Sequence, residues 1–365
     1  MAELIIYTKR IKDNIKHLSH YFDSHNIEWS LITKVFSGDK EFLKNVLTED
    51  VIEKIDSVGD SRLTSLKNLK EVNPNMRTIY IKPPAKMYAE EVVKYADISL
   101  NSSFSTIKSL NDAAKKADKT HQIIIMVELG ELREGVKRTE LMSFYEKVFE
   151  LSNIDVIGIG SNLGCMYGVE PSYDKLLQLS LYEELISVKF NRDLKYVSGG
   201  TSITLPLIET KTIPKDINHF RVGEAAFFGI SPLDNKQFRD LSTDTFMFTA
   251  NIIELEEKKI VPEGIISDGN VGHSVDFDNK DASETSIKAI LDFGLLDVDQ
   301  NDIEFIDEKL EYVGITSDML VVDIGANTTA NGKKKYSIGD KIHFKPNYMA
   351  VARLLNSKFI DKKFE

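Results

Sequence analysis

Short apolar runs alternate with helical patterns over roughly the first 240 of the 365 residues, and this alternation constrains the fold most. Strand-like runs occupy 30–34, 54–59, 77–82, 96–100, 122–129, 155–161, 195–199 and 218–222, and helical patterns lie near 39–48, 62–71, 86–95, 104–117, 138–151 and 173–189. Such repetition predicts parallel strands joined by right-handed crossovers. About eight strands in roughly 200 residues predict an α/β fold, a (β/α)8 barrel of the TIM type.

The pattern changes after about residue 240. Strand-like segments there are 245–255, 286–293, 319–324 and 341–344, with a turn at 267–270 and a helical stripe only at 348–355. This pattern of strand-like segments and turns is typical of a mostly β domain. The sequence therefore predicts a barrel over residues 8–238 and a β domain over 239–365, which also takes a strand from residues 1–7.

Charge and cysteine content narrow the classes of function. The net charge is −11, from 57 acidic and 46 basic side chains, which argues against a general binder of nucleic acid or membrane surfaces. We see no signal-peptide pattern and no apolar run of membrane-spanning length. Cys165 is the single cysteine, so we expect a reducing cytoplasm. No residues have metal-ligand spacing.

A lysine ends the first predicted barrel strand. Trp29 to Val35 is a run of large apolar and β-branched residues, with Lys34 near its C-terminal end. Burial disfavours the charged form of an amine, and a neutral amine attacks carbonyls to form a Schiff base. The alternative is a strand-end lysine that reaches solvent.

Two further features lie where barrel strands end, which is where barrels place their reacting groups. The turn 198–202, Ser-Gly-Gly-Thr-Ser, can cradle an anion with its backbone N–H groups and hydroxyls, although it could be a plain glycine turn. Arg221 stands among apolar neighbours and must meet an acceptor, either a ligand or a carboxylate such as Glu224. A Schiff-base lysine, a phosphate cradle and an arginine in one barrel mouth indicate pyridoxal phosphate.

Motifs along nearly the whole chain resemble the pyridoxal-phosphate enzymes of fold type III, the alanine racemase superfamily, and within it the ornithine racemase group. The motifs are Thr33-Lys34, Gly59 to Arg62, Ala96 to Ser102, Leu129 to Gly135, Gly160 to Cys165, Ser198 to Ser202 and Ile217 to Glu224. The resemblance implies an amino-acid racemase acting on ornithine or a similar basic amino acid. It also implies a homodimer in which each β domain contributes to the partner subunit's active site.

The resemblance also implies roles for individual residues. Lys34 would carry the cofactor, and Arg221 would face its pyridine nitrogen. Arg133 would approach the 3′-oxygen of the ring or the substrate carboxylate, while Asn162 stands where alanine racemases place a histidine against the ring. The phosphate would be held by Ser198, Gly200, Thr201, Ser202, Gly223, Glu224 and the partner's Tyr348. Ser317 would lie beside the substrate carboxylate.

The chain departs from alanine racemases at the second catalytic base. Their Gly-Tyr-Ala-Asp turn, whose tyrosine moves a proton, corresponds to Gly294-Leu295-Leu296-Asp297 here, and leucine cannot accept a proton. Either Lys34 serves both faces of the substrate, or Cys165 or Asp297 supplies the second base. The alternatives are an inert cysteine and a turn aspartate. Glu131 and Asp297 are candidates for binding a side-chain amine.

Two other functions remain open from the sequence. One is a decarboxylase of basic amino acids, which would usually pair a glutamate with the ring nitrogen, where this chain has Arg221. The other is a non-enzymatic carrier of pyridoxal phosphate, for which the second domain would be superfluous.

Overall fold

A computed structural model describes residues 1–266, 272–276, 281, 283–329 and 331–365. The chain forms two compact units, one of Lys9–Thr243 and the other of Met1–Thr8 together with Asp244–Glu365. We call them the barrel unit and the β unit. The domain boundary predicted after residue 238 lies five residues before the observed one, after Thr243. The turn predicted at 267–270 lies outside the described residues.

The strands described in the barrel unit and at the start of the chain are β1 (Glu3–Ile6), β2 (Glu28–Ile32), β3 (Ser57–Asp60), β4 (Thr78–Tyr80), β5 (Ile98–Asn101), β6 (His121–Met126), β7 (Ile154–Gly160), β8 (Tyr196–Ser198), β9 (Gly200–Thr201), β10 (His219–Val222), β11 (Ile230–Ser231) and β12 (Lys236–Gln237). Those that follow are β13 (Phe246–Lys259), β14 (His273–Ser274), β15 (Thr285–Leu291), β16 (Ile303–Phe305), β17 (Glu311–Ile315), β18 (Leu320–Asp323), β19 (Lys341–Pro346) and β20 (Asp361–Phe364).

The described α-helices are α1 (Thr8–Asp23), α2 (Lys40–Val46), α3 (Glu49–Ile52), α4 (Leu63–Val72), α5 (Ala89–Tyr95), α6 (Phe104–Lys116), α7 (Leu141–Phe149), α8 (Tyr173–Phe190), α9 (Leu205–Glu209), α10 (Glu224–Phe228) and α11 (Tyr348–Asn356). The eight predicted barrel strands and the six helices between them are all present, with ends shifted by at most three residues. Weak apolar periodicity after Gly199 corresponds to a short helix, α9, of five residues.

The barrel unit is a ring of parallel strands in the order β8-β7-β6-β5-β4-β3-β2-β10-β9. β8 pairs with β7 and β9 pairs with β10, and only Gly199 separates β8 from β9 along the chain. The ring therefore closes where the strand predicted over 195–199 ends, since β9 lies in the turn predicted over 198–202. The predicted TIM-type barrel is confirmed.

Alternate residues of each barrel strand point into the barrel. The side chains inside the barrel form an apolar part and a polar part. The apolar part is one buried cluster of Ile79, Ile98, Leu100, Ile124, Met126, Ile157 and Tyr196. The polar part consists of buried side chains from β2, β3, β8 and β10, namely Ser30, Ser57, Ser198, His219 and Arg221. This polar sector leads towards the C-terminal ends of the strands.

The β unit is built on one long, mostly antiparallel sheet in the order β14-β17-β18-β15-β13-β1-β20, in which β1 and β20 run parallel, and β19 pairs with both β13 and β16. Phe248, Phe293 and Phe344 meet at its centre, with ring centroids 4.8 to 5.7 Å apart. The predicted mostly β texture is confirmed, and β14, β16, β17 and β20 are strands that the sequence pattern did not indicate.

Candidate active site

Lys34 lies just beyond β2 rather than on it. The strand ends at Ile32, and Lys34 opens a 3₁₀ turn, Lys34–Phe36, with an exposed side chain. Thr33 fixes this position, since both its N–H (2.8 Å) and its hydroxyl (3.2 Å) donate to the carbonyl of Gly59 at the end of β3. Of the two alternatives that the sequence left open, a buried strand lysine and a strand-end lysine that reaches solvent, the exposed side chain agrees with the second.

Arg221 is buried on β10, with 5% of its surface exposed, and is held by neutral groups. Its Nη1 donates to the Ser198 carbonyl at 2.8 Å and to the Ser198 hydroxyl, and its Nη2 donates to the Ser161 carbonyl and Asn162 Oδ1, each at 2.7 Å. Within the described chain it forms no ion pair with Glu224 or another carboxylate. Burial lowers the pKa of Arg221 to about 10, against the opposing field of Glu134, so the side chain remains a cation at neutral pH.

Asn162 links Arg221 to a charged pair on the loop after β6. While its Oδ1 accepts from Arg221, its Nδ2 donates to Glu134, so both ends of the amide are engaged. Glu134 also accepts from Arg133, whose Nη1 is 2.6 Å from Cys165 Sγ. Burial raises the pKa of Glu134, but Arg133 and Asn162 outweigh it and the net pKa is lowered. The structure thus brings the predicted residues Arg221, Asn162, Arg133 and Cys165 together, with Glu134 as the group that joins Asn162 to Arg133.

The predicted phosphate cradle is assembled from two short segments. The Thr201 N–H donates to Thr204 Oγ1 at 3.2 Å, and the Ser202 hydroxyl accepts the Ala225 N–H at 3.2 Å. α10 begins after Gly223, and the first N–H groups of a helix lack partners within the helix. A Cβ on Gly223 would lie 2.7 Å from the Ile32 carbonyl oxygen, so glycine is required there.

Glu224 connects this cradle to Lys34 electrostatically. Burial raises the pKa of the Glu224 carboxyl, and the positive charge of Lys34 partly offsets that rise. The lysine at the end of β2 and the start of α10 therefore share one mouth of the barrel.

Three predicted site residues lie in the β unit. Asp297 is buried: its Oδ1 accepts the Ser357 hydroxyl at 2.7 Å and its Oδ2 faces the Gly294 N–H at 3.4 Å, as a turn aspartate does. The Ser317 hydroxyl is 3.1 Å from Asp318 Oδ1. Tyr348 is half-buried at the start of α11, which Asn347 caps. Their roles in a partner's site stay predictions.

Glu131 has a structural task that the sequence did not reveal. Its buried carboxylate accepts the N–H groups of Cys165 (3.0 Å), Tyr167 (2.8 Å) and Val169 (3.2 Å). Burial raises its pKa, yet these backbone donors outweigh burial and the net pKa is lowered. The carboxylate is thus engaged within its own chain, which counts against the prediction that it binds a side-chain amine.

Sequence reasoning also missed Glu134, Ser161 and His219 as members of the site. His219 lies two residues before Arg221, so the period-two alternation of a strand places both inside the barrel. That signal was available in the sequence. Glu134 carried no comparable signal, because its link to Asn162 joins two different loops.

The residues at the barrel mouth fit pyridoxal phosphate. The Nε–H of Arg221 has no acceptor among the described residues, and an arginine donor of this kind suits a pyridine nitrogen, which can only accept. Lys34 would offer an exposed amine to the aldehyde, and Ser202 with the start of α10 would offer donors to the phosphate.

The described residues offer neither a metal site nor a membrane-spanning helix. The described residues contain no group of three or more His, Cys, Asp or Glu side chains arranged to hold a metal ion. Among the described helices, none combines the length and apolarity needed to cross a membrane.

Comparisons with known proteins agree with this geometry. Residues 6–232 match the family described as alanine racemase, N-terminal domain. Over 362 residues the chain is 33% identical to the ornithine racemase of Acetoanaerobium sticklandii (99% of each protein) and 28% identical to the lysine racemase of Thermotoga maritima (99% and 98%). The alanine racemase structure from Corynebacterium glutamicum superposes with a TM-score of 0.73 at 15% identity, covering 100% of this chain and 99% of that one.

A parallel barrel with a lysine and a buried arginine at its mouth, joined to a β unit, defines the fold class of the alanine racemases. The chain belongs to the alanine racemase family. It is an amino-acid racemase, and enzymes of this family depend on pyridoxal phosphate. The predicted enzyme class and cofactor are confirmed.

Proposed function

We propose that this racemase interconverts the L and D forms of ornithine or a closely related basic amino acid. The observation that carries the proposal is the match to an ornithine racemase at 33% identity over 99% of both proteins, supported by the lysine racemase at 28%.

The barrel mouth provides the groups that the reaction needs. Bound pyridoxal phosphate acidifies the Cα–H of an amino acid joined to it by withdrawing electrons from Cα. Lys34 is the amine that holds the cofactor and moves the proton at Cα. Arg221 donates to the ring nitrogen without giving up its proton, which favours return of the proton to Cα over transamination. Arg133 orients the 3′-oxygen of the ring or the substrate carboxylate.

The test is a panel of L-ornithine, L-lysine and L-alanine incubated with cofactor-loaded protein and resolved by chiral chromatography. We expect the D isomer to form fastest from ornithine. Carbon dioxide in place of a D isomer would indicate the decarboxylase, and no product would leave a carrier of the cofactor. Borohydride reduction should label Lys34 with the cofactor mass, and Lys34→Ala, which removes the amine, is the control.

A further inference from the structure

A row of polar side chains inside the barrel leads from His219 to Arg221. His219 is fully buried on β10, and its Nδ1 lies 2.7 Å from the Ser198 hydroxyl. Its Nε2 lies 3.1 Å from the Ser30 hydroxyl, which in turn lies 2.7 Å from the Ser57 hydroxyl. Neither the comparisons nor the family motifs assign His219 a task.

The hydrogen-bond directions in this row follow from the rule that each buried hydroxyl proton has an acceptor. Arg221 can only donate, so the Ser198 oxygen accepts from Arg221, and the acceptor in the row for the Ser198 proton is His219 Nδ1. With Nδ1 as an acceptor, His219 is the neutral tautomer with its proton on Nε2, and it donates to the Ser30 hydroxyl. Ser30 in turn donates to the Ser57 hydroxyl.

The surroundings keep His219 neutral and in place. Burial is the largest cause that lowers the pKa of His219, followed by the positive field of Arg221. Asp56 opposes them, Arg77 and Lys195 add smaller lowering effects, and the net pKa is about 3. The ring of Tyr196 packs against the imidazole with centroids 4.5 Å apart. A rigid, neutral acceptor therefore faces the Ser198 hydroxyl.

Among the described residues no carboxylate forms an ion pair with Arg221. The position of its guanidinium therefore depends on neutral hydrogen-bond partners, of which the Ser198 hydroxyl is one. Two of the four are backbone carbonyls, and the other two are Asn162 and the Ser198 hydroxyl. The Asn162 amide is oriented by Glu134, and the Ser198 hydroxyl by His219.

We propose that His219 is a positioning residue: acting through Ser198, it fixes the Arg221 guanidinium so that the Nε–H is left for the ring nitrogen of the cofactor. The inference rests on the proposed role of Arg221. It makes no claim that His219 touches cofactor or substrate.

The hydrogen-bond directions can be tested on the cofactor-loaded wild-type enzyme. With ¹⁵N-labelled histidine, we expect one imidazole with a bare Nδ1 and a protonated Nε2, unchanged from about pH 5 to about pH 8. Its signal should be missing from His219→Gln. A proton on Nδ1, or titration within that range, would overturn the proposal.

The action through Ser198 can be tested by a double-mutant cycle on affinity for pyridoxal phosphate. We expect His219→Leu and Ser198→Ala each to weaken binding about tenfold, and the double variant to weaken it no further. If the double variant instead weakened binding by the product of the two single effects, about a hundredfold, His219 would act independently of Ser198. His219→Gln, which can accept from Ser198 and donate to Ser30, should restore most of the affinity.

His121→Leu is the matched control. His121 is also a buried barrel histidine, with Nε2 2.8 Å from the Ser99 hydroxyl and a pKa lowered by burial to about 4, but Arg221 is not among its partners. Both leucine variants should lower the thermal midpoint, and only His219→Leu should weaken cofactor binding. If His219→Leu and His121→Leu weakened cofactor binding equally, His219 would contribute only packing. Wild-type protein that binds the cofactor but racemises no basic amino acid would refute the proposed function and leave this cycle interpretable.

Discussion

Single residues at the barrel mouth show how a buried cation is kept without a carboxylate partner. Arg221 meets only neutral acceptors in the described chain, and Glu134 reaches it through the Asn162 amide. A guanidinium held this way keeps its proton and its position. The sequence predicted a need for an acceptor, and of its two alternatives the ion pair with Glu224 is not formed.

Replacing Arg221 by Glu tests the role proposed for its charge. A carboxylic acid can protonate the ring nitrogen, which makes the ring a stronger electron sink. We expect transamination per racemisation turnover to rise by about tenfold or more. The measurement is accumulation of the pyridoxamine form by absorbance and mass, with Arg221→Lys as the control that keeps the positive charge. No rise in protein that still holds cofactor would contradict the role.

The second base is also a question about single residues. Cys165 is exposed beside Arg133, whereas both oxygens of Asp297 face donors, the Ser357 hydroxyl and the Gly294 N–H. We therefore expect Cys165→Ser to slow Cα proton exchange in one reaction direction more than in the other. Asp297→Ala should lower stability by about 1–2 kcal/mol without a directional effect. Deuterium uptake from each enantiomer measures this, and unchanged symmetry in both variants would leave Lys34 as the base on both faces.

At the scale of elements, the loops after β6 and β7 form one structure. Glu131 on the first loop binds three backbone N–H groups of the second, and Gly135 is required because a Cβ there would lie 2.3 Å from the Glu128 nitrogen. These loops carry Arg133, Asn162 and Cys165. The conformation of these two loops therefore sets the positions of the three side chains at the barrel mouth.

Glu131→Gln should loosen the second loop. The pKa of Glu131 is lowered in the folded chain, so its ionised form stabilises the loop; that contribution is complete above the ordinary value of 4.5 and is lost as pH falls through the lower folded value. We expect the amides of Cys165, Tyr167 and Val169 to lose about tenfold in hydrogen-exchange protection near neutral pH. The difference between wild type and variant should shrink in acid.

The control is Glu170→Gln, which neutralises an exposed carboxylate on the same loop. It should leave protection unchanged. Equal loss of protection in the two variants would show that net charge, not these hydrogen bonds, orders the loop.

At the scale of the whole molecule, the barrel unit holds Lys34 and Arg221, and the β unit holds Asp297, Ser317 and Tyr348. We propose that the active enzyme is a homodimer in which the β unit of one subunit completes the site of the other. The family resemblance motivates this proposal.

Complementation tests the shared site. Lys34→Ala and Tyr348→Phe should each lose most activity as separate proteins. Mixed after denaturation and refolding, they should recover about one quarter of wild-type activity, because half of the dimers are mixed and each carries one intact site. Light scattering gives the oligomeric state. A wild-type monomer with full activity, or mixtures no better than their components, would contradict the shared site.

The sequence by itself determined the barrel, the mostly β second unit and the polar residues at the strand ends. It could do so because hydrophobic periodicity records which face of each element is buried. Only the tertiary structure decided that Lys34 lies exposed beyond its strand, that Glu131 is engaged by a neighbouring loop, and that Glu134 reaches Arg221 through the Asn162 amide. These facts depend on hydrogen bonds between segments far apart in the chain, and local patterns carry no record of such partners.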